Sequence, residues 1–208
     1  MAVQVYTFQI TYLDCENRIW RTAEVSSNYL LAQLGYLVLA TFDTMAYHLF
    51  QMKYKNNLYL LSPEEAADFS SKNPWNDLPT QKTHFRSLYE DNIGSLDMQI
   101  KDIIEMTYDF GCCQEFQIEL MGICEMEKGH GRAYPRIVDG AGRGIMDDLS
   151  AEDLLQIIRD IDRGQNPEIV YPPDSAKLWD YRDYSLKADN ALLKSAIQQI
   201  SCGYEENR

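Results

Sequence analysis

Residues 3–13 read VQVYTFQITYL, and this stretch decides the fold class. Tyr6, Phe8, Ile10 and Tyr12 fall on one side of an extended chain, and Thr7, Gln9 and Thr11 fall on the other. That two-residue period, carried by β-branched and aromatic residues, predicts a strand with one buried face. Cys15-Glu16-Asn17 is a turn, and Arg18 to Val25 is a second strand, so the chain opens with a hairpin. The period then changes. Leu30, Leu31, Leu34, Leu37, Val38 and Thr41 recur at helical spacing behind Ser26, Ser27 and Asn28, which predicts a capped helix over 29–41.

Working outward, Tyr47 to Tyr54 and Leu58 to Leu61 read as strands joined at Lys55-Asn56-Asn57. Ile103 to Phe110 and Gln114 to Ile123 form a further hairpin around Gly111-Cys112-Cys113. Residues 62–95 are a polar insertion carrying Pro63, Pro74 and Pro79, with a short helix at Pro63 to Phe69. Residues 125–144 read as a glycine-rich loop. Ser150 with Asp153 is a capping box for a helix running to Asp162. Pro167, Pro172 and Pro173 make a stiff linker before an amphipathic helix over 187–201. The expected architecture is α+β: a mixed or antiparallel sheet, one long N-terminal helix packed on it, and C-terminal helices. The family-like domain is expected over 1–165, and the linker with the last helix over 166–208.

Acidic residues number 32 and basic residues 19, a formal net charge of −13. Such a chain repels the phosphate backbone, so direct nucleic-acid binding is not expected, whereas a basic protein partner is favoured. No apolar run approaches the roughly 20 residues that span a bilayer, and residues 1–14 lack the basic start of a secretory signal. Five cysteines without an export signal fit reduced thiols in a cytoplasm.

Several motifs fail a physical test. Asp109-Phe110-Gly111 stands without a glycine-rich nucleotide loop or a His-Arg-Asp segment, so it is not a kinase element. Gly140, Gly142 and Gly144 precede Asp147 and Asp148, whose charges would repel a phosphate, so these glycines read as a flexible turn. Asp147-Asp148 and Glu152-Asp153 read as acids drawn to a helix start by its dipole. Cys112 and Cys113 lie about 35 Å from Cys124 if the intervening strand is straight. The one zinc arrangement left open adds His48 from a neighbouring strand to Cys112 and Cys113. No cofactor is otherwise expected, and no catalytic residue is assigned.

Four segments resemble the plasmid-Ri ORF-three-like family of plasmid and transposon passenger proteins. Trp20-Arg21 after the first strand resembles the family's opening. His48-Leu49 resembles its His-Leu-His segment. Tyr108-Asp109-Phe110-Gly111 resembles its Tyr-Asp-Phe-Gly element. Tyr134-Pro135, with Asp139-Gly140 and Asp147-Asp148 beyond, resembles its last segment. The resemblance implies a compact α+β domain from a mobile element, and it implies no settled activity. Phe50 and Phe116 stand where the family pattern has histidine, so a polar site looks converted to apolar packing.

These readings lead to one expectation and one alternative. The first is a non-catalytic, acidic interaction protein that binds and inhibits a basic nucleic-acid-binding protein, a CRISPR nuclease being one example. The alternative is a metal- or thiol-dependent enzyme using His48, Cys112 and Cys113.

Overall fold

The computed structural model describes residues 2–15, 17–62, 83–165, 170–171 and 174–206. The expected short helix at 63–69, most of the polar insertion, and Pro167, Pro172 and Pro173 lie outside them. Eight strands form one sheet: β1 (Gln4–Tyr12), β2 (Trp20–Ser26), β3 (Phe50–Tyr54), β4 (Asn57–Leu60), β5 (His84–Ser87), β6 (Ile103–Tyr108), β7 (Gln114–Glu125) and β8 (Arg136–Ala141). Their order is β5-β4-β3-β6-β7-β1-β2-β8, and every neighbouring pair is antiparallel except β4–β5. A separate two-stranded ribbon pairs β9 (Val170–Tyr171) with β10 (Asp174–Leu178). The described helices are α1 (Leu31–Thr41), α2 (Ala151–Asp162) and α3 (Leu186–Glu205).

The alternation in residues 3–13 does what its period requires. Tyr6, Phe8, Ile10 and Tyr12 are buried, while Thr7, Gln9 and Thr11 are only partly covered. One sheet face is therefore core, and α1 lies against that core. Leu31, Leu34, Leu37 and Val38 are fully buried, but so are Tyr36 and Leu39. The reason is a second layer: α3 packs on α1 and closes its outer side. A helix covered on two sides has no polar face to spare.

The α+β class holds, but the long helix is C-terminal. Helix α3 has 20 residues and α1 has 11. Helix α1 begins at Leu31 rather than 29, because the expected caps are used elsewhere. Ser27 Oγ accepts from Gln4 N at 3.1 Å, and Gln33 Oε1 accepts from Leu30 N at 3.0 Å instead. Two strands of the main sheet lie in segments whose composition reads as loop. β5 pairs in parallel with β4, a long-range contact that four residues cannot announce. β8 pairs with β2 as the sheet edge, and its glycine content hid it.

Those glycines are packing residues. A Cβ on Gly142 (φ 73°) would stand 2.3 Å from the Arg18 carbonyl oxygen, and one on Gly144 would stand 2.0 Å from that of Phe42. The 142–148 segment thus hugs the end of α1. Helix α2 starts at Ala151, with Asp153 N donating to Ser150 Oγ at 3.1 Å. Asp147 and Asp148 therefore precede that helix and do not open it.

Candidate functional site

Strands β3 and β6 are antiparallel neighbours, with Phe50 opposite Tyr108. The residues just before β3 and just after β6 must then lie at the same sheet end. His48 and Asp109 are those residues. The expected strand over 47–54 begins only at Phe50, which leaves Tyr47, His48 and Leu49 outside the ladder. Asp109 N donates to Leu49 O at 3.1 Å and ties the two segments together. The glycine-lined path from β8 delivers Asp148 to the same place.

His48 Nε2 lies 3.0 Å from Asp148 Oδ1 and 3.5 Å from Asp109 Oδ2. One ligand atom from each of the three residues lies within 4.8 Å of the others. Ligand atoms about 2.1 Å from a shared ion stand roughly 3.0–3.5 Å apart in tetrahedral or octahedral arrangements, and the two distances from His48 match that spacing.

Each carboxylate has one oxygen fixed from behind. Asp109 Oδ1 accepts from Gly111 N at 3.1 Å and Cys112 N at 3.4 Å. Asp148 Oδ2 accepts from the Tyr47 hydroxyl. Asp109 is 4% exposed, and its Oδ2 is buried with no hydrogen-bond partner among the described residues. A buried, unbonded carboxylate oxygen carries a desolvation cost that a cation would offset. Asp147 Oδ1 and the Tyr108 hydroxyl are also buried, and these two side chains interact with one another. Asp43, Ala46, Asp109, Cys113 and Asp148 all take left-handed φ between 51° and 61° in the loops around this point. Each such residue costs about 1 kcal/mol or more.

The electrostatics follow from burial and hydrogen bonding. Burial raises the Asp147 carboxyl. The Tyr47 hydroxyl, and then His48, hold Asp148 below the ordinary carboxylate range. Tyr47 in turn is pushed up to about 12 by its bond to Asp148. Burial and the Asp147 carboxylate both raise Tyr108. Asp109, Asp147 and Asp148 around one imidazole make a negative patch at the surface, where Asp148 is 65% and His48 26% exposed. Met45, Tyr47, Leu49 and Phe110 form an exposed apolar collar on the segments that carry the site.

The structure gathers some of the residues singled out from sequence and separates others. His48, Tyr108, Asp109 and Gly111 come together, with Phe110 projecting from the same turn. Cys112 and Cys113 are in that turn, but their thiols are not in the three-residue group. Cys113 Sγ contacts Phe110 O at 3.4 Å, and burial followed by the Asp109 carboxylate raises the Cys112 thiol. Raising a thiol opposes the thiolate that zinc or nucleophilic chemistry requires. Trp20 and Arg21 sit on β2, next to the edge strand β8, and Tyr134-Pro135, joined by a cis peptide, leads into β8. Arg21 is a buried knot: its guanidinium donates to the Thr41, Trp20, Ala141 and Gly142 carbonyls and pairs with Asp189 at 3.1 Å. Phe50 and Phe116 are buried core residues. Asp148 was missed as a ligand because an acid near a helix start has an ordinary explanation. Its presence in the same resemblance as His48 and Asp109 was the available signal.

No curated protein matches this chain. The crystal structure of MM3350, a protein of unknown function from Methanosarcina mazei Go1, shares the fold at a TM-score of 0.67 and 15% identity. The alignment covers 91% of this chain and 98% of that one. Residues 4–187 match the family described as plasmid pRiA4b ORF-3-like protein. That match takes in His48, Asp109 and Asp148 together with the whole eight-stranded sheet, and the chain belongs to the plasmid pRiA4b ORF-3-like protein family.

Proposed function

We propose that this protein binds one divalent transition-metal ion through His48 Nε2, Asp109 Oδ2 and Asp148 Oδ1 and presents it at the surface. The observation that carries the reading is the paired restraint of the two carboxylates: each has one oxygen held by a donor behind it and the other turned to His48. A donor set of one nitrogen and two oxygens suits zinc, manganese or iron(II). Three protein ligands with an exposed side leave coordination positions for water or a ligand, the pattern of a catalytic rather than a structural centre. Calorimetric titration of chelator-stripped protein with each metal is expected to give one equivalent. Asp109→Asn and His48→Ala should each weaken binding by a factor of about 100 or more, and Cys112→Ser should leave it unchanged. No binding by the wild-type chain, or binding lost only in Cys112→Ser, would overturn the reading.

A second reading is favoured by the apolar collar together with the net charge of −13. In it, this face docks on a basic, nucleic-acid-binding protein, as expected for an acidic interaction protein of a mobile element. Collar residues would supply contact area, and charge would supply association rate and salt sensitivity. Leu49→Asp with Phe110→Asp should then release a stoichiometric partner from the wild-type complex. A complex unchanged by both substitutions would exclude this face.

A further inference from the structure

The segment holding His48 is fixed by contacts from other parts of the chain: the Leu49 carbonyl accepts from Asp109 N, and the Tyr47 hydroxyl donates to Asp148. Tyr47, His48 and Leu49 lie outside the β-ladder, and the backbone turns through a left-handed Ala46 (φ 55°) just before them. The His48 carbonyl is bonded as well: it accepts from the hydroxyl of Tyr204, in the last turn of α3. The Tyr204 ring is itself clamped. It stacks on Tyr36 of α1 at 5.5 Å with planes 19° apart, and it meets Phe50 edge-on at 5.4 Å. Phe50 has its place because Gly35 has no side chain, since a Cβ there would stand 2.2 Å from the Phe50 ring.

Helix α3 is anchored far from Tyr204 as well. Asp189 pairs with Arg21 at 3.1 Å, and Asn190 bonds both the Ile137 amide at 2.9 Å and the Ile137 carbonyl at 2.8 Å. The helix is a strut whose C-terminal end reaches the site.

We infer that Tyr204 is a positioning residue for His48, so that a helix extending beyond the family-matched residues 4–187 completes the cation centre. The inference rests on the metal-binding reading for its consequence, though not for its geometry. Without the hydroxyl, the 47–49 segment keeps its bonds to Asp109 and Asp148 and loses the one that holds the His48 carbonyl, which shifts the imidazole relative to Asp109. Partners that orient ligands without touching the metal typically change affinity by about 10-fold or more when removed.

The test is Tyr204→Phe, which keeps the ring stack and removes only the hydroxyl. Leu192→Ala, an exposed change on the same helix, is the control. Zinc and manganese affinities are expected to fall roughly 10-fold in Tyr204→Phe and to stay at wild-type in the control, with both variants melting close to wild-type. Nitrogen-15 spectra of the metal-free histidines should show the His48 ring signals displaced or broadened in Tyr204→Phe alone. Wild-type affinity together with unmoved His48 signals would overturn the inference. Should the wild-type chain bind no metal, the metal-binding reading fails, and the His48 signals alone decide whether Tyr204 positions that ring.

Discussion

Asp109 and His48 face each other across 3.5 Å at one end of the sheet, and the Asp109 oxygen nearest the imidazole is buried without a hydrogen-bond donor among the described residues. Its other oxygen is held by the Gly111 and Cys112 amides. The carboxylate is thus aimed, and aiming does not depend on its charge.

That separation gives the first prediction. Asparagine in place of Asp109 keeps an oxygen for the two amides and tolerates the left-handed backbone. Asp109→Asn should fold and melt at or above the wild-type temperature, because a buried negative charge is gone. Its affinity for divalent metal should fall by a factor of about 100 or more. Thermal denaturation and metal titration on the same sample read both effects.

Arg21 is a second point of leverage. Its guanidinium is 1% exposed, donates to four carbonyls and pairs with Asp189, joining β2, β8, α1 and α3. Arg21→Ala would leave Asp189 and those carbonyls without their donor, and should cost about 3–5 kcal/mol in chemical denaturation. Arg21→Lys should recover only a minor part, since one ammonium cannot span the same acceptors.

The glycines separate by what surrounds them. Gly144→Ala drives a Cβ into the Phe42 carbonyl at 2.0 Å and should destabilise by more than about 3 kcal/mol while displacing Asp148. Gly203, in α3, has nothing among the described residues within 4 Å of an added Cβ. Gly203→Ala should raise stability by about 0.5–1 kcal/mol, read from the shift in the urea midpoint.

The Asp102 carboxyl gives a pH signature. The Gln99 amide at 2.9 Å and the Tyr54 hydroxyl at 2.6 Å hold it below its ordinary range. A depressed carboxylate contributes stability above its unfolded value, about 3.9, and loses it as pH falls through the lower folded value. Asp102→Asn should therefore melt below wild-type at pH 7, and the gap should close as pH falls below about 4. A gap constant from pH 7 to pH 3 would contradict this account.

Much of the local structure was legible from the order of residues. Tyr6, Phe8, Ile10 and Tyr12 announce β1 because a strand repeats every two residues. Ser150 with Asp153 announces α2 because a side-chain oxygen must meet an unbonded amide. The Tyr108-Asp109-Phe110-Gly111 element and His48, singled out through resemblance, lie at the end of the sheet where Asp148 joins them. Periodicity could not say that β8 closes the edge. Nor could it say that Gly142 and Gly144 are close-packed rather than flexible, because both facts depend on what lies opposite.

The site divides the same way. Sequence by itself determined the α+β class, the acidic surface and two of the three converging side chains, because each follows from composition, short-range period or a contiguous motif. Tertiary structure alone decided that Asp148 joins His48 and Asp109 in one group without the Cys112 and Cys113 thiols, and that Tyr204 reaches back to His48 from the last helix. The physical reason is distance along the chain. These contacts are closed by strand pairing and helix packing between segments far apart in sequence, and local patterns carry no record of them.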